Sequence, residues 1–400
     1  DMMKEYMSAL DDINSETVEY VRGIQVIKIF NMVIESFERL YKSIIRYSEV
    51  VNKECQMCRR PYVIFQVCML SLSALIVPVA YIAMPKSPQA SETISLVVFF
   101  ASFSGLLMSA FMKVMFFSKN FEMANDAISK LESLFDEMDK NKLAHGDVSE
   151  MANHDIEFAG VTFRYEEGVD VLTDFSLKLE SGKKYALVGS SGSGKSTIAK
   201  LISGFYPVSS GELKIGGVDI SKYKRETLEH EIAFVFQNAK LFKTSIYENV
   251  KIGRPDASRE EVIKALDLAM CGSILDKFET REDTIIGAKG VHLSGGETQR
   301  IAIARAILKD APIIILDEAS AASDPENEYE MQQAFSKLME GKTVIIIAHR
   351  LSSIRNVDEI LVIEDGKVTE RGYHDELIAK DSKYKKLQNL YNQANEWRLS

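Results

Sequence analysis

Two long uncharged stretches stand out in the first third of the chain. Residues 61–85 and 93–112 contain no charged side chain, and a polar link, residues 86–92, joins them. A helix needs about 20 apolar residues to cross the hydrocarbon core of a bilayer. The pattern therefore predicts a transmembrane helical hairpin, with helices at about 61–85 and 93–117 and a cytoplasmic extension to residue 138. The alternative is a pair of buried core helices in a soluble protein.

Basic residues flank the predicted hairpin on both outer sides. Arg59 and Arg60 precede the first stretch, and Lys113 and Lys119 follow the second. Because cytoplasmic flanks carry an excess of Lys and Arg, both outer ends are expected in the cytoplasm. Residues 1–60 alternate apolar and charged positions at helical spacing, which predicts a helical cytoplasmic loop. The chain opens in mid-pattern without a signal peptide, so we expect an N-terminal part to be missing from it.

The pattern changes after a polar linker at residues 139–153 and predicts a soluble α/β domain over residues 154–400. Alternating segments typical of half-buried strands lie at 156–158, 161–165 and 171–179. Fully apolar runs, typical of strands buried on both faces, lie at 232–236, 313–316 and 344–348. Helical stretches lie between and after these runs, notably at 297–308 and 327–339. This alternation predicts a mainly parallel sheet with helices on its faces.

Composition narrows the class of protein only slightly. A net charge of −10 and a pI of about 5.3 argue against a dedicated nucleic-acid binder. Four cysteines offer no disulfide framework in a chain of 400 residues. Cys55 and Cys58 form a single C-x-x-C pair with no second pair to complete a zinc site, so we interpret it as incidental.

A glycine-rich segment follows the apolar run 185–188 and leads into a helical pattern. It consists of Gly189, Ser190, Ser191, Gly192, Ser193, Gly194, Lys195, Ser196 and Thr197. Glycines let the backbone turn successive N–H groups onto an anion, and the following helix points its positive end at the same spot. Lys195 can reach the outer phosphates of a nucleotide, and the Ser196 hydroxyl can ligate Mg²⁺. The segment predicts a nucleotide-phosphate loop.

Two adjacent carboxylates end the apolar run 313–316. Asp317 at that strand end can hold Mg²⁺ through water, as the second acidic element of phosphate-loop enzymes does. Glu318 is then placed to polarise an attacking water as a general base. Carboxylates at strand ends are common, so the prediction depends on their pairing with the phosphate loop.

A second anion-binding pattern lies at the start of the helical stretch near residue 297. Ser294, Gly295, Gly296 and Glu297 follow Leu293. A serine and two glycines that open a helix can bind an anion. Since one nucleotide hardly needs two cradles from one domain, the pattern indicates that two domains pair, each lending this cradle to the other's nucleotide. The alternative is a plain helix cap that begins at Ser294.

Together these motifs resemble the C-terminal part of an ATP-binding cassette transporter of the exporter fold. The nucleotide-binding domain is covered end to end. What look like the last two transmembrane helices and a cytoplasmic loop precede it. The segment 189–197 matches the Walker A motif, 317–318 the end of Walker B, and 293–297 the family signature. The resemblance implies a phosphate-loop NTPase domain with an antiparallel β subdomain, bound to ATP and Mg²⁺.

The resemblance also implies roles for four further residues. Gln237 matches the glutamine that senses Mg²⁺ and the γ-phosphate, and His349 matches the histidine that holds the γ-phosphate. Tyr165 matches the aromatic residue that stacks on adenine, and Asp324 matches the aspartate that crosses the domain interface. Residues 19–30 resemble a loop whose short coupling helix docks on the partner's nucleotide-binding domain, although a plain amphipathic helix fits as well.

Three positions depart from the commonest family pattern: Glu297 in place of Gln, Ser323 in place of Leu, and Ala288 in place of Glu. Ala288 weakens an assignment to multidrug exporters. Segments 290–293 and 324–328 look closer to a bacterial branch that includes siderophore transporters, some of which import. The direction of transport and the substrate stay open.

The predicted function is that of a half-transporter in the cytoplasmic membrane. Its partner would be a second half-transporter, identical or different, and its nucleotide-binding domain would lie in the cytoplasm. ATP hydrolysis would drive an unidentified substrate across the bilayer, and no nucleic acid would be bound. One rival is a soluble cassette ATPase acting on nucleic acid or ribosomes. Another is a module in which nucleotide only gates a channel.

Overall fold

A computed structural model describes residues 2–24, 38–83, 90–140, 142–165, 168–287, 290–317, 325–348 and 354–399. The chain divides into two compact units, Asp1–Ser133 and Leu134–Ser400. Ala288, Ser323 and the second part of the predicted coupling segment lie outside the described residues.

The first unit is helical. Its described helices are α1 (Met2–Arg22), α2 (Glu38–Ala83) and α3 (Ala90–Lys140), the last of which crosses the boundary between the units. Side chains on the polar faces of α1 and α2 meet. The Tyr6 and Tyr47 hydroxyls lie 3.3 Å apart, and Arg46 and Asp12 form an ion pair. Charged residues at helical spacing in residues 1–60 therefore join these two helices to each other.

One segment within the described residues is long and apolar enough to cross a bilayer. It is Ile94–Val114 in α3, with 21 residues, a mean hydropathy of 2.1 and no part of it buried. The first predicted span overlaps α2, which continues as a helix through Pro61 and Pro78. That span, and with it the hairpin, stays a prediction.

The second unit contains two β-sheets. Its strands are β1 (Ile156–Arg164), β2 (Asp170–Leu179), β3 (Lys184–Val188), β4 (Ser210–Ile215), β5 (Val218–Asp219), β6 (Ile232–Val235), β7 (Ile313–Asp317), β8 (Thr343–Ile347), β9 (Glu359–Glu364) and β10 (Lys367–Gly372). The smaller sheet is antiparallel in the order β2-β1-β4-β5. The larger sheet has the order β10-β9-β3-β8-β7-β6 and is parallel except for the pair β9–β10.

Helices lie between and after the strands of the second unit. In chain order they are α4 (Lys195–Ile202), α5 (Arg225–Glu231), α6 (Ile246–Lys251), α7 (Arg259–Leu268), α8 (Gly272–Leu275), α9 (Gly295–Lys309), α10 (Pro325–Leu338), α11 (His374–Ala379) and α12 (Lys383–Leu399). The predicted parallel sheet with helices on its faces is therefore observed, and the three apolar runs form β6, β7 and β8.

Alternate residues of the larger sheet face two different hydrophobic cores. Leu187 and Ile345 pack with the antiparallel sheet, whereas Ala186 and Ile346 pack with the helices that follow β6. Successive strand side chains point to opposite faces, so a strand covered on both sides must be apolar at every position. This explains why the central strands appear in the sequence as uninterrupted apolar runs.

The stretch predicted as a linker is fixed to the second unit over residues 142–153. Leu143 is buried in the core of the antiparallel sheet. The amides of Gly146 and Val148 donate to the carbonyls of Tyr223 and Lys222 at 3.1 and 3.0 Å. Its backbone polar groups thus find partners in the domain.

Candidate functional site

The carboxyl ends of four neighbouring parallel strands, β3, β8, β7 and β6, lie at one edge of the larger sheet and bring the predicted nucleotide residues there. Strand β3 leads into the phosphate loop, and β8 lies between β3 and β7 in parallel register. Strand β7 ends at Asp317, directly opposite Ile347 of β8. Strand β6, parallel to β7, leads to Phe236 and Gln237 at the same edge. Ligands of open α/β sheets bind at this edge.

The phosphate loop has the predicted strand–turn–helix form. Gly189, Gly192 and Gly194 have φ angles of +153°, +81° and +104°. Residues with a Cβ rarely adopt these angles. Gly194 caps α4, which begins at Lys195. The loop therefore ends at a helix N-terminus, where backbone N–H groups and the helix dipole favour an anion.

The Lys195 ammonium lies inside this loop. Lys195 is 4% exposed, and its Nζ donates to the carbonyl oxygens of Gly189 and Ser190 at 2.9 and 2.6 Å and to Ser193 Oγ at 3.3 Å. Burial lowers the pKa of Lys195 below the ordinary lysine value, and the Asp317 carboxylate partly offsets this effect. The ammonium is held among loop oxygens that carry no formal charge. Phosphate oxygens that approach it stabilise its charged form, because they supply the opposite charge.

Gly189 also makes a close backbone approach that a side chain would prevent. A Cβ at this position would lie 2.1 Å from the Ile363 carbonyl oxygen. We expect Gly189→Ala to lower the free energy of unfolding by about 3 kcal/mol, through overpacking and backbone strain. The control is Gly192→Ala, where nothing lies within 4 Å and only the conformational term of about 1 kcal/mol remains. Urea unfolding followed by circular dichroism measures both, and equal losses would contradict the steric argument.

A large cavity connects the predicted metal residues Gln237 and Asp317. It has a volume of about 1020 Å³ and is lined by both of these residues, by Phe236 and by Arg305. The donors of the three predicted metal residues (Ser196, Gln237 and Asp317) are hydroxyl, amide and carboxylate oxygens, the hard ligands that Mg²⁺ accepts. The chemistry of this set fits Mg²⁺ held jointly with nucleotide phosphates.

Tyr165 lies beside the phosphate loop and is 41% exposed. Its hydroxyl is 3.2 Å from Thr197 Oγ1, and Lys200 Nζ lies 5.5 Å from its ring centroid. Tyr206 packs edge-on against the ring, with centroids 5.3 Å apart. The ring is thus fixed near the loop while part of its surface stays open, as stacking on a base requires. No local sequence pattern predicts the contacts of Tyr206 and Lys200 with this ring.

The second predicted cradle is a capped helix N-terminus. Ser294 precedes α9, and its Oγ accepts from the Glu297 amide at 3.3 Å, while Glu297 Oε2 accepts from the Ser294 amide at 2.6 Å. This reciprocal pair is a capping box. The helix cap, which was the alternative interpretation of this pattern, is therefore present. Because a cap leaves the N–H groups of the first turn pointing outwards, it is compatible with an anion site as well.

Helix α9 carries two further polar residues, Gln299 and Arg300, which follow the predicted cradle in the sequence but whose contacts the sequence does not predict. Gln299 Nε2 donates to the Phe236 carbonyl at 3.2 Å, directly before Gln237. Arg300 is 1% exposed, pairs with Glu330 and donates to Asn327 Oδ1 at 2.9 Å. The helix that opens with Ser294 thus also holds the segment before Gln237 and the helix α10. These contacts join residues 27 to 63 positions apart, which no local pattern signals.

Three predicted site residues, Glu318, Asp324 and His349, lie outside the described residues. Their roles stay predictions.

Comparison with known proteins identifies the family. Residues 172–321 match the family model described as ABC transporter. The chain is 47% identical over 237 residues to an ATP-dependent lipid A-core flippase of Pasteurella multocida, covering 59% of this chain and 41% of the relative. It is 34% identical over 404 residues to the flippase of the same name from Neisseria meningitidis, covering 98% of this chain and 62% of that relative. The chain thus spans about half of the length of these relatives.

A solved structure extends the similarity to nearly the whole chain. A bacterial Atm1-family ABC exporter with ATP bound matches with a TM-score of 0.73 and 26% identity, over 97% of this chain and 69% of that one. The match includes both the helical unit and the unit with the phosphate loop. Residues 172–321 therefore form an ABC transporter domain, and the chain as a whole is similar to exporter-fold members of that family.

Proposed function

We propose that this chain is part of a membrane transporter in which ATP binding and hydrolysis drive substrate movement across the cytoplasmic membrane. The observation that carries the proposal is the meeting of the phosphate loop, Asp317 and Gln237 at one sheet edge. The relatives named as a flippase and an exporter favour outward movement, and they do not favour the siderophore-importer alternative.

In this proposal, two nucleotide-binding domains close on two ATP molecules. Lys195 and the loop amides bind the phosphates, and Tyr165 stacks on adenine. The Ser294 cradle of one domain contacts the nucleotide on the other, with Asp324 at the interface. Ser196, Gln237 and Asp317 would hold Mg²⁺, which would neutralise phosphate charge. Glu318 takes a proton from the attacking water, and His349 holds the γ-phosphate.

The membrane part carries this motion to the substrate. Helices at about 61–85 and 93–117 cross the bilayer, and the loop before them docks on the partner's nucleotide-binding domain. Support comes from Ile94–Val114, which is apolar and has no buried part. The partner is a second half-transporter, identical or different. A soluble cassette ATPase that acts on nucleic acid has no use for such an exposed helix.

The test uses the protein expressed from its complete gene. We expect it to stay in the membrane fraction after an alkaline carbonate wash and to hydrolyse ATP when reconstituted in lipid. Release into the soluble fraction, with turnover stimulated by DNA or RNA, would contradict the proposal and support the soluble ATPase. Nucleotide binding in lipid without turnover would support the gated channel.

A further inference from the structure

The Glu297 carboxylate lies at the helix N-terminus that the proposed function assigns to an ATP phosphate. Glu297 is 7% exposed, and its Oε2 is 2.6 Å from the Ser294 amide nitrogen. Free N–H groups and the helix dipole attract an anion to this position. A carboxylate held there lies in the positive electrostatic potential of the helix N-terminus. It therefore repels a second anion at the same place. Without a counter-charge, Glu297 would oppose the binding of a nucleotide phosphate.

Lys277 supplies that counter-charge. Its ammonium lies in the turn after α8 and donates to Glu297 Oε1 at 2.5 Å. Burial acts to raise the pKa of Glu297, but the hydrogen bonds from Lys277 and Ser294 outweigh it, so the pKa lies below the ordinary glutamate value. The carboxylate is therefore ionised at neutral pH, and the cradle carries an ion pair with no net charge.

The two residues form a matched pair. The carboxylate uses one oxygen for the capping box and the other for Lys277. A glutamine at position 297 would keep a single acceptor oxygen for the cap and would turn an N–H donor toward the ammonium. A glutamate at position 297 therefore needs the positive charge of Lys277, whereas a glutamine at position 297 would not need it.

We propose that Lys277 is a positioning residue for ATP, which holds and neutralises Glu297 so that the Ser294 cradle accepts a phosphate. The inference rests on the proposed function, because it requires ATP to contact this cradle. Lys277 would then belong to the second cradle, although it lies 17 positions before Ser294 in the chain.

The test is steady-state ATP turnover by the full-length protein in lipid. Lys277→Met is expected to raise KM for ATP about tenfold and to leave kcat within about twofold, because the repulsion acts on bound substrate and transition state alike. High salt is expected to shrink the KM difference, since it screens the Glu297 charge that this variant leaves without its lysine partner. Lys277→Arg is expected to keep the KM of the unmodified protein. The matched control is Arg281→Met, because Arg281 pairs with Asp276, a residue outside α9.

The deciding variant adds Glu297→Gln to Lys277→Met and is expected to restore KM to within about twofold. A raised KM in the double variant would overturn the inference, because Lys277 would then act by touching ATP or by supporting the fold. An unchanged KM in Lys277→Met would overturn the inference alone, with ATP turnover still supporting the proposed function. Absence of turnover in the unmodified protein would overturn both.

Discussion

Replacing Lys195 by alanine is expected to lower ATP turnover by at least about a hundredfold and to weaken ATP binding. The buried ammonium bonds to two loop carbonyls and to Ser193, and it is the cation that the loop encloses. Without the ammonium, only the loop amides contact the nucleotide phosphates, and the negative charge of the phosphates is not balanced by a cation. Initial rates in lipid over a range of ATP concentrations measure both effects.

The control for this prediction is Lys183→Ala. Lys183 precedes β3, is exposed and pairs with Glu180 at 2.6 Å, an interaction that adds little to stability. Its turnover should stay within about twofold of the unmodified protein. If Lys195→Ala retained more than about a tenth of the turnover, the loop would not be the catalytic phosphate site.

Replacing Glu318 by glutamine is expected to lower turnover about a hundredfold or more while ATP stays bound. Glutamine keeps the size of the side chain and cannot accept the proton of the attacking water. Under the proposed function, ATP binding closes the domain pair and hydrolysis opens it, so the ATP-bound pair is expected to accumulate. Filter binding measures the ATP that stays bound, and sedimentation measures the amount of the domain pair.

Glu340→Gln is the matched control for Glu318→Gln, since Glu340 is an exposed partner of Lys337. Unchanged turnover in Glu318→Gln would exclude this residue as the general base. In that case another group must activate the water, and the sheet edge would need a different catalytic assignment.

The central strands could be predicted from sequence because burial on both faces leaves no polar position. Ile313, Ile314 and Ile315 are fully buried, and they face alternately the two cores. The phosphate loop could be predicted for a different reason. Its glycines and Lys195 are contiguous, and their geometry follows from local backbone conformation.

Contacts between distant positions could not be predicted in this way. In the sequence, Glu297 belongs to the predicted anion-binding pattern at the start of a helix, and only the fold brings Lys277 to it. The same holds for Gln299, whose partner carbonyl belongs to Phe236. Side-chain pairs of this kind depend on how the helices pack on the sheet. No periodic pattern of residues in the sequence indicates which side chains this packing brings together.

Helix boundaries were also poorly defined by hydrophobic pattern. The predicted helix at 297–308 begins at Gly295, because the capping box at Ser294 starts the helix before its apolar positions. Helix α2 runs through Pro61, where the change from charged to uncharged residues suggested a boundary. Hydrophobicity reports the environment of a helix, whereas hydrogen bonding decides its length.

Pairing of two nucleotide-binding domains is the central claim, and mixing two inactive variants tests it most directly. One copy carries Lys195→Ala, and the other carries Ser294→Asp, which keeps a good helix-capping residue and adds a charge that repels phosphate. Pairs that hold one copy of each are isolated through two different affinity tags. If each ATP lies between the loop of one copy and the cradle of the other, one site contains no substitution, and about half of the turnover should return. If both cradles act within one copy, every site is damaged, and the mixed pair should stay as inactive as its parents.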